Sequence, residues 1–129
     1  MQLSDLEKID KKKMFETYDK WPQIARDSFD QKFEKFDIKN IDHIVFAGMG
    51  GSGSIGDVLS AILSKEDIHV NNTKGYLLPK TVDQHSLIIA MSVSGNTQET
   101  LSILDNAKRS KAKVVAFSSG GKMQDFCLK

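Results

Sequence analysis

One cysteine in 129 residues and a net charge of only +1 remove several classes of protein at once. A lone Cys127 builds no intramolecular disulfide framework and fits a reducing cytosol. It sits in an apolar-patterned tail, where it reads as a small buried hydrophobe rather than a nucleophile. With 18 basic against 17 acidic side chains, no global field favours nucleic acid or an acidic membrane surface. The longest apolar stretches are strand-sized, far short of a membrane span. Asp5, Glu7, Lys8 and Asp10 interrupt any apolar run at the N-terminus, so it does not read as a signal peptide. His43, His69 and His85 lack metal-ligand spacing, and the single Cys is remote from them, so no metal is expected. Internal repeats, low-complexity segments and linkers are also missing. What remains is one soluble domain, long enough for a real core.

Residues from about Leu3 to Phe36 read as helical, with Trp21, Ile24, Ala25, Ser28, Phe29, Phe33 and Phe36 on one face. That stripe is expected to pack on the rest of the domain, and Pro22 to occupy the first turn of the second helix. Lys11-Lys12-Lys13 reads as a solvated face. After about residue 40 the pattern alternates. Strands are expected over His43–Ala47, Ile68–Val70, Leu87–Ser92 and Lys113–Ser118. Helices are expected over Ser54–Ser64, Thr97–Ser110 and from Lys122 onward. The first of these turns Ile55, Val58, Leu59, Ile62 and Leu63 inward; the second, Leu101, Leu104 and Ala107. Asn71-Asn72 and Gly75 mark turns. Apolar β-branched strands alternating with amphipathic helices imply an α/β fold, a doubly wound parallel sheet covered on both faces. Right-handed crossovers then gather every strand-to-helix loop on the sheet edge where such folds bind ligands.

Two of those loops carry chemistry. Gly48-Met49-Gly50-Gly51-Ser52-Gly53-Ser54 follows the first strand; Ser92-Val93-Ser94-Gly95-Asn96-Thr97 follows the third. Glycine admits a ligand close to the backbone, and a helix N-terminus offers unpaired N–H groups and a positive dipole end. The hydroxyls of Ser92, Ser94 and Thr97 add donors without charge. Ser92 and Ser94 are expected to leave the strand on the same side. Asn96 and Glu99 have capping-box spacing, which competes with a role for Glu99 as general base. Together the loops point to a phosphorylated, hydroxyl-rich small molecule. Gly48-x-Gly50-x-x-Gly53 also satisfies the dinucleotide fingerprint, but no acidic residue closes the next strand. No Lys follows the glycines as in a P-loop, which disfavours a nucleoside triphosphate.

These loops resemble the sugar isomerase (SIS) family, and within it the bifunctional phosphoglucose/phosphomannose isomerases. The resemblance rests on the run from Gly48 to Asp57 and on Ser92 to Leu101. Trp21-Pro22, Tyr76-Leu77-Leu78-Pro79 and Ser118-Ser119-Gly120-Gly121 add to it. It implies a five-stranded parallel sheet with helices on both faces, a flavodoxin-like three-layer sandwich. Residues 1–40 are expected to form a helical segment packed on an SIS domain of residues 41–129. It implies that Ser92, Ser94 and Thr97 hold a sugar phosphate, with Gly50, Gly51 and Ser52 against the sugar. The implied reaction converts glucose 6-phosphate or mannose 6-phosphate to fructose 6-phosphate through a cis-enediol, with no cofactor. The implied setting is a cytoplasmic homodimer. Relatives carry Arg where this chain has Lys122, which keeps a charge for a developing enediolate but loses the planar fork. Their Glu, His and late Lys for proton transfer lie in a second domain or a partner subunit. The expectation is therefore an N-terminal SIS domain of a longer isomerase. Two alternatives stand beside it: a non-catalytic sugar-phosphate-binding module, and, on glycine spacing alone, an NAD(P)-dependent oxidoreductase. The acidic residues among the N-terminal lysines speak against a DNA-binding regulator.

Overall fold

The computed structural model describes residues 3–32 and 38–128, which fall into two compact units divided between Asp37 and Ile38. The first holds α1 (Leu3–Ile9) and α2 (Met14–Asp30). They are separated by a turn in which Lys13 is left-handed at φ 53° and the Phe15 N–H donates to the Asp10 carboxylate at 2.9 Å. This break corrects the expected position of Pro22: α2 starts at Met14, so the proline lies inside the helix. There it removes one helical N–H and crowds the preceding turn. Tyr18 and Trp21 pack edge-on, with ring centroids 4.7 Å apart. Phe33 and Phe36, placed on the same stripe by the sequence, lie outside the described residues.

The second unit alternates β1 (His43–Gly48), α3 (Gly50–Leu63), β2 (His69–Thr73), β3 (Ser86–Met91), α4 (Gln98–Ser110), β4 (Lys113–Phe117) and α5 (Gly121–Cys127). All strand pairs are parallel, in the order β2-β1-β3-β4. Among the described residues the sheet has four strands rather than five. The order reverses between β1 and β3, which makes their C-terminal ends the crevice for a ligand in such sheets. α3 packs on β1 and β2 from one face. α4 and α5 cover the other, where Val45, Ala47, Ile88 and Ala90 meet Ile103, Leu104, Ala107 and Met123.

Two corrections concern the first crossover. The Asn71-Asn72 pair is not a turn but the middle of β2. Asn71 Oδ1 receives the Nε2 atoms of both His43 (2.8 Å) and His69 (3.0 Å), and Asn72 Nδ2 donates to the Gly53 carbonyl at 3.0 Å. Side-chain hydrogen bonds thus replace apolar packing in this edge strand. α3, in turn, presents Gly53 and Gly56 to the sheet, not the expected apolar stripe; Ile55, Val58 and Ile62 are exposed. A Cβ at Gly56 would stand 2.6 Å from Asn72 Oδ1 and 2.9 Å from Phe46 Cβ, so only a bare backbone fits that close to β1 and β2. Cys127, expected to be buried, is exposed. α5 buries Met123 against β3 and α4.

Asp57 fastens α3 to the chain leaving β2. It accepts from Lys74 Nζ and Asn72 Nδ2, both at 2.5 Å, and these bonds hold its carboxyl below the ordinary 3.8. A depressed folded pKa adds stability above the ordinary value, and that stability is lost as pH falls through the folded one. Asp57→Asn is therefore expected to lower the melting temperature at neutral pH. It should also flatten the decline of stability below pH about 4, as read by thermal melts across the acid range.

Candidate functional site

The sheet register sets the site. Gly48 pairs with Met91, and Met91 with Phe117, so three strands end side by side. Parallel strands lie about 4.8 Å apart, and the loops leaving them begin as neighbours. Ser92 N–H donates to the Phe117 carbonyl at 3.0 Å, and Ser119 N–H to the Val93 carbonyl at 3.0 Å. The pairing thus continues past the strands.

α3 begins four residues before its expected start, so the glycine loop is its first turn. Gly53 N–H makes the first helical bond, to the Met49 carbonyl at 3.3 Å. The amides of Gly50, Gly51 and Ser52 therefore occupy the three leading positions that no helical carbonyl serves, and the Met49 side chain provides no cap. Gly50 is left-handed at φ 53°, and a Cβ at Gly50 or Gly51 would meet nothing within 4 Å. The space there is open to a ligand.

α4 repeats the arrangement. Its N-cap is Thr97, not Asn96, and the Thr97 hydroxyl makes no cap bond. It meets the Ser92 hydroxyl at 2.8 Å instead. A threonine N-cap ordinarily accepts from the second or third helical amide; here the leading amides of Gln98, Glu99 and Thr100 are left to another acceptor. The Ser92 hydroxyl also accepts from Gly95 N–H at 3.1 Å. It can then pass its own proton to Thr97, whose O–H is freed to donate outward. Ser92 is buried and Ser94 exposed, because strand alternation stops at Met91. Ser94 Oγ accepts from Asn96 N–H at 3.2 Å, which leaves its proton available.

The expected capping box does not form. Asn96 turns its side chain to the Ser94 carbonyl (Nδ2, 3.0 Å) and receives Lys122 N–H on Oδ1 at 3.2 Å. Nothing local in the sequence signals this partner, which is 26 residues away.

Between α3 and the ends of β3 and β4 lies a cleft of about 540 Å³ lined by Ser52, Ser92, Ser118, Ser119 and a floor of Ile55, Leu59, Ile89, Met91, Val93 and Phe117. It brings Ser52 and Ser92 together, with Thr97 joined through Ser92. No lining residue is ionisable near neutral pH. Lys122 lies elsewhere, in a groove between α4 and α5 with Gln98, Leu101, Asp105, Lys108, Asp125 and Phe126. β2 carries no carboxylate, so the group that a dinucleotide ribose needs is not on that strand. Sequence reasoning passed over Ser118 and Ser119 as site residues; their position in a third strand-to-helix loop was the available signal.

Residues 37–124 match the model of the SIS domain family. Over 92 residues the chain is 44% identical to a bifunctional phosphoglucose/phosphomannose isomerase of Caldicellulosiruptor bescii, covering 70% of this chain and 27% of the relative. It is 41% identical over 97 residues to the enzyme of that name from Thermoplasma acidophilum, covering 75% of this chain and 30% of the relative. A Bacillus subtilis crystal structure named for phosphosugar isomerase activity aligns with TM-score 0.56 and 27% identity, over 64% of this chain and 27% of that one. The chain thus spans about a third of the length of the curated relatives it matches.

The glycines separate structural from open positions. Gly95→Ala would put a Cβ 1.7 Å from the Gly120 carbonyl oxygen at φ +64°, whereas Gly51→Ala meets empty space. Chemical denaturation should show Gly95→Ala losing more than about 2 kcal/mol. Gly51→Ala should stay within about 0.5 kcal/mol of the parent.

Proposed function

Because the chain belongs to the SIS domain family, we propose that its two helix N-termini and hydroxyl loop capture the phosphate of a hexose 6-phosphate. The observation that carries this reading is the pair of helices, α3 and α4, that leave neighbouring strand ends with no side chain capping either. Their leading amides, with the hydroxyls of Ser94 and Thr97, form a set of neutral donors suited to a dianion. Gly50, Gly51 and Ser52 leave room for the sugar beside them.

The names of the relatives point to aldose–ketose isomerisation, between glucose or mannose 6-phosphate and fructose 6-phosphate. Moving a proton between C1 and C2 needs an acid–base group within hydrogen-bond reach, and no side chain lining the cleft is one. This favours a division of labour in which this chain supplies the binding surface and proton transfer falls to residues outside it. Lys122 lines the α4–α5 groove, so the proposed contacts with substrate do not include it. The same feature supports the second reading, a sugar-phosphate-binding module without catalysis. The proposal extends to a cytoplasmic homodimer; the exposed Ile55, Val58 and Ile62 on α3 offer apolar surface for association.

Ser94→Ala and Thr97→Ala are each expected to weaken fructose 6-phosphate binding about tenfold or more, the worth of one hydrogen bond to a charged group. Unchanged affinity by calorimetry in both variants would refute the phosphate assignment. With no ionisable cleft residue, affinity should rise only as the phosphate itself loses its second proton, near pH about 6, and stay level above it. If the chain binds without catalysing, proton NMR in D2O will show bound sugar phosphate with no deuterium entering at C2. Deuterium incorporation would select the catalytic reading.

A further inference from the structure

We infer that Asn96 is a positioning residue that couples occupancy of the hydroxyl loop to the fold of α5. The inference rests on the sugar-phosphate reading of that loop and goes beyond it. α5 is seven residues long, and its own N-cap position, Gly120, makes no side-chain cap bond. A helix this short is marginal alone. Its leading amides are served from another part of the chain. Lys122 N–H donates to Asn96 Oδ1 at 3.2 Å, and Met123 N–H to the Gly95 carbonyl at 3.0 Å. Asn96 is held in turn by the hydroxyl loop, through Nδ2 to the Ser94 carbonyl and through its own N–H to Ser94 Oγ.

The contact is close as well as bonded. A Cβ at Gly121 would stand 2.5 Å from the Ser94 carbonyl oxygen and 2.7 Å from Asn96 Nδ2, so the two loops lie backbone against backbone. An anion that takes the Ser94 proton polarises Ser94 Oγ and strengthens the bond it accepts from Asn96 N–H, as chains of hydrogen bonds do. The same anion on the leading amides of α4 fixes residues 96–98. Both effects hold Asn96 in the geometry that caps α5, and α5 carries Met123, fully buried against Ala90 and Leu104. Occupancy of the loop is thereby felt at the packing of a helix that takes no part in binding.

Amide hydrogen exchange resolved by NMR tests this, with fructose 6-phosphate as probe. In the wild-type chain, saturation should slow exchange at Lys122 and Met123 about tenfold. In Asn96→Ala, affinity should fall about tenfold and the Lys122 amide should no longer respond. Asn96→Asp keeps an acceptor oxygen and should restore that response. A residue that only supports the fold would leave Lys122 slowed by ligand no more than amides elsewhere in the sheet, through the general stabilisation that any bound ligand gives, and equally in Asn96→Ala. Binding without any change at Lys122 and Met123 therefore overturns the coupling while leaving the sugar-phosphate reading intact. An Asn96→Ala chain that keeps wild-type affinity overturns it as well. No binding of fructose 6-phosphate or inorganic phosphate by the wild type overturns both. If Asn96→Ala does not fold, the wild-type comparison decides by itself.

Discussion

Gly95 and Gly120 touch where no side chain fits, and the geometry of the site follows from that contact. A Cβ on Gly95 would stand 1.7 Å from the Gly120 carbonyl oxygen. Bare backbone at this point lets the loops after β3 and β4 continue the parallel pairing of their strands. The Phe117 carbonyl receives Ser92 N–H, and the Val93 carbonyl receives both the amide and the hydroxyl of Ser119. The hydroxyl loop is thus braced on one side by α5 and its entry. On the other side Gly48 lies in register with Met91, which brings the first turn of α3 alongside. A loop held between two neighbours loses little further freedom when a ligand arrives, and ordering cost is a main term opposing binding.

The site favours negative charge without carrying a positive side chain in its lining. Each helix N-terminus near an anion contributes about 0.3–1 kcal/mol when exposed and up to about 2 kcal/mol when partly buried. Hydrogen bonds to a charged acceptor add about 1.5–3 kcal/mol each. Two helices and two hydroxyls are enough for millimolar to micromolar capture, which needs about 4–8 kcal/mol net of ordering. A lysine in the same place would add attraction, but its flexible stem would have to be ordered on binding. Fixed amides avoid that cost. Thr97, turned to Ser92, leaves the leading amides of α4 without a competing side-chain acceptor.

β1, β3, β4 and α4 were legible in the sequence to within a residue at either end, because each is an apolar or amphipathic run bounded by polar punctuation. β2 was not. Asn71-Asn72 look like a turn, since the cohesion of this part of the strand comes from the His43–Asn71 and Asn72–Gly53 hydrogen bonds, which only the partner strand and helix reveal. α3 misled in two ways. Glycine is a poor helix former, so its first turn read as loop, and hydrophobicity put Ile55, Val58 and Ile62 inside. The helix instead turns its smallest residues to the sheet. Asn96 carried a local signal that was misdirected: Asn before a helix reads as that helix's cap, yet its partner Lys122 belongs to the next one. The placement of the glycine- and serine-rich segments directly after β1 and β3, at one sheet edge, was also legible, because crossovers of one hand put every strand-to-helix connection there.

Binding and chemistry impose different demands, and the cleft lining of serine and apolar side chains carries no acid–base group for the second. Phosphate capture calls for many rigid neutral donors, which backbone and hydroxyls supply. Enediol chemistry calls for a group whose pKa lies near the working pH, and such groups are tuned by burial or neighbouring charge. Neither tuning acts on any residue lining the cleft, all of which are serine or apolar. The apolar floor of Ile89, Met91 and Phe117 has a use in such a division. It is a poor surface for sugar hydroxyls but a good one for desolvating a base brought in from outside, which would raise the pKa of a carboxylate. On the proposed reading, the phosphate sits on the leading amides, the sugar over the open Gly50–Gly51 turn, and the floor offers a low-dielectric wall beside it. Fixed donors of that kind are what a rigid parallel sheet edge builds best.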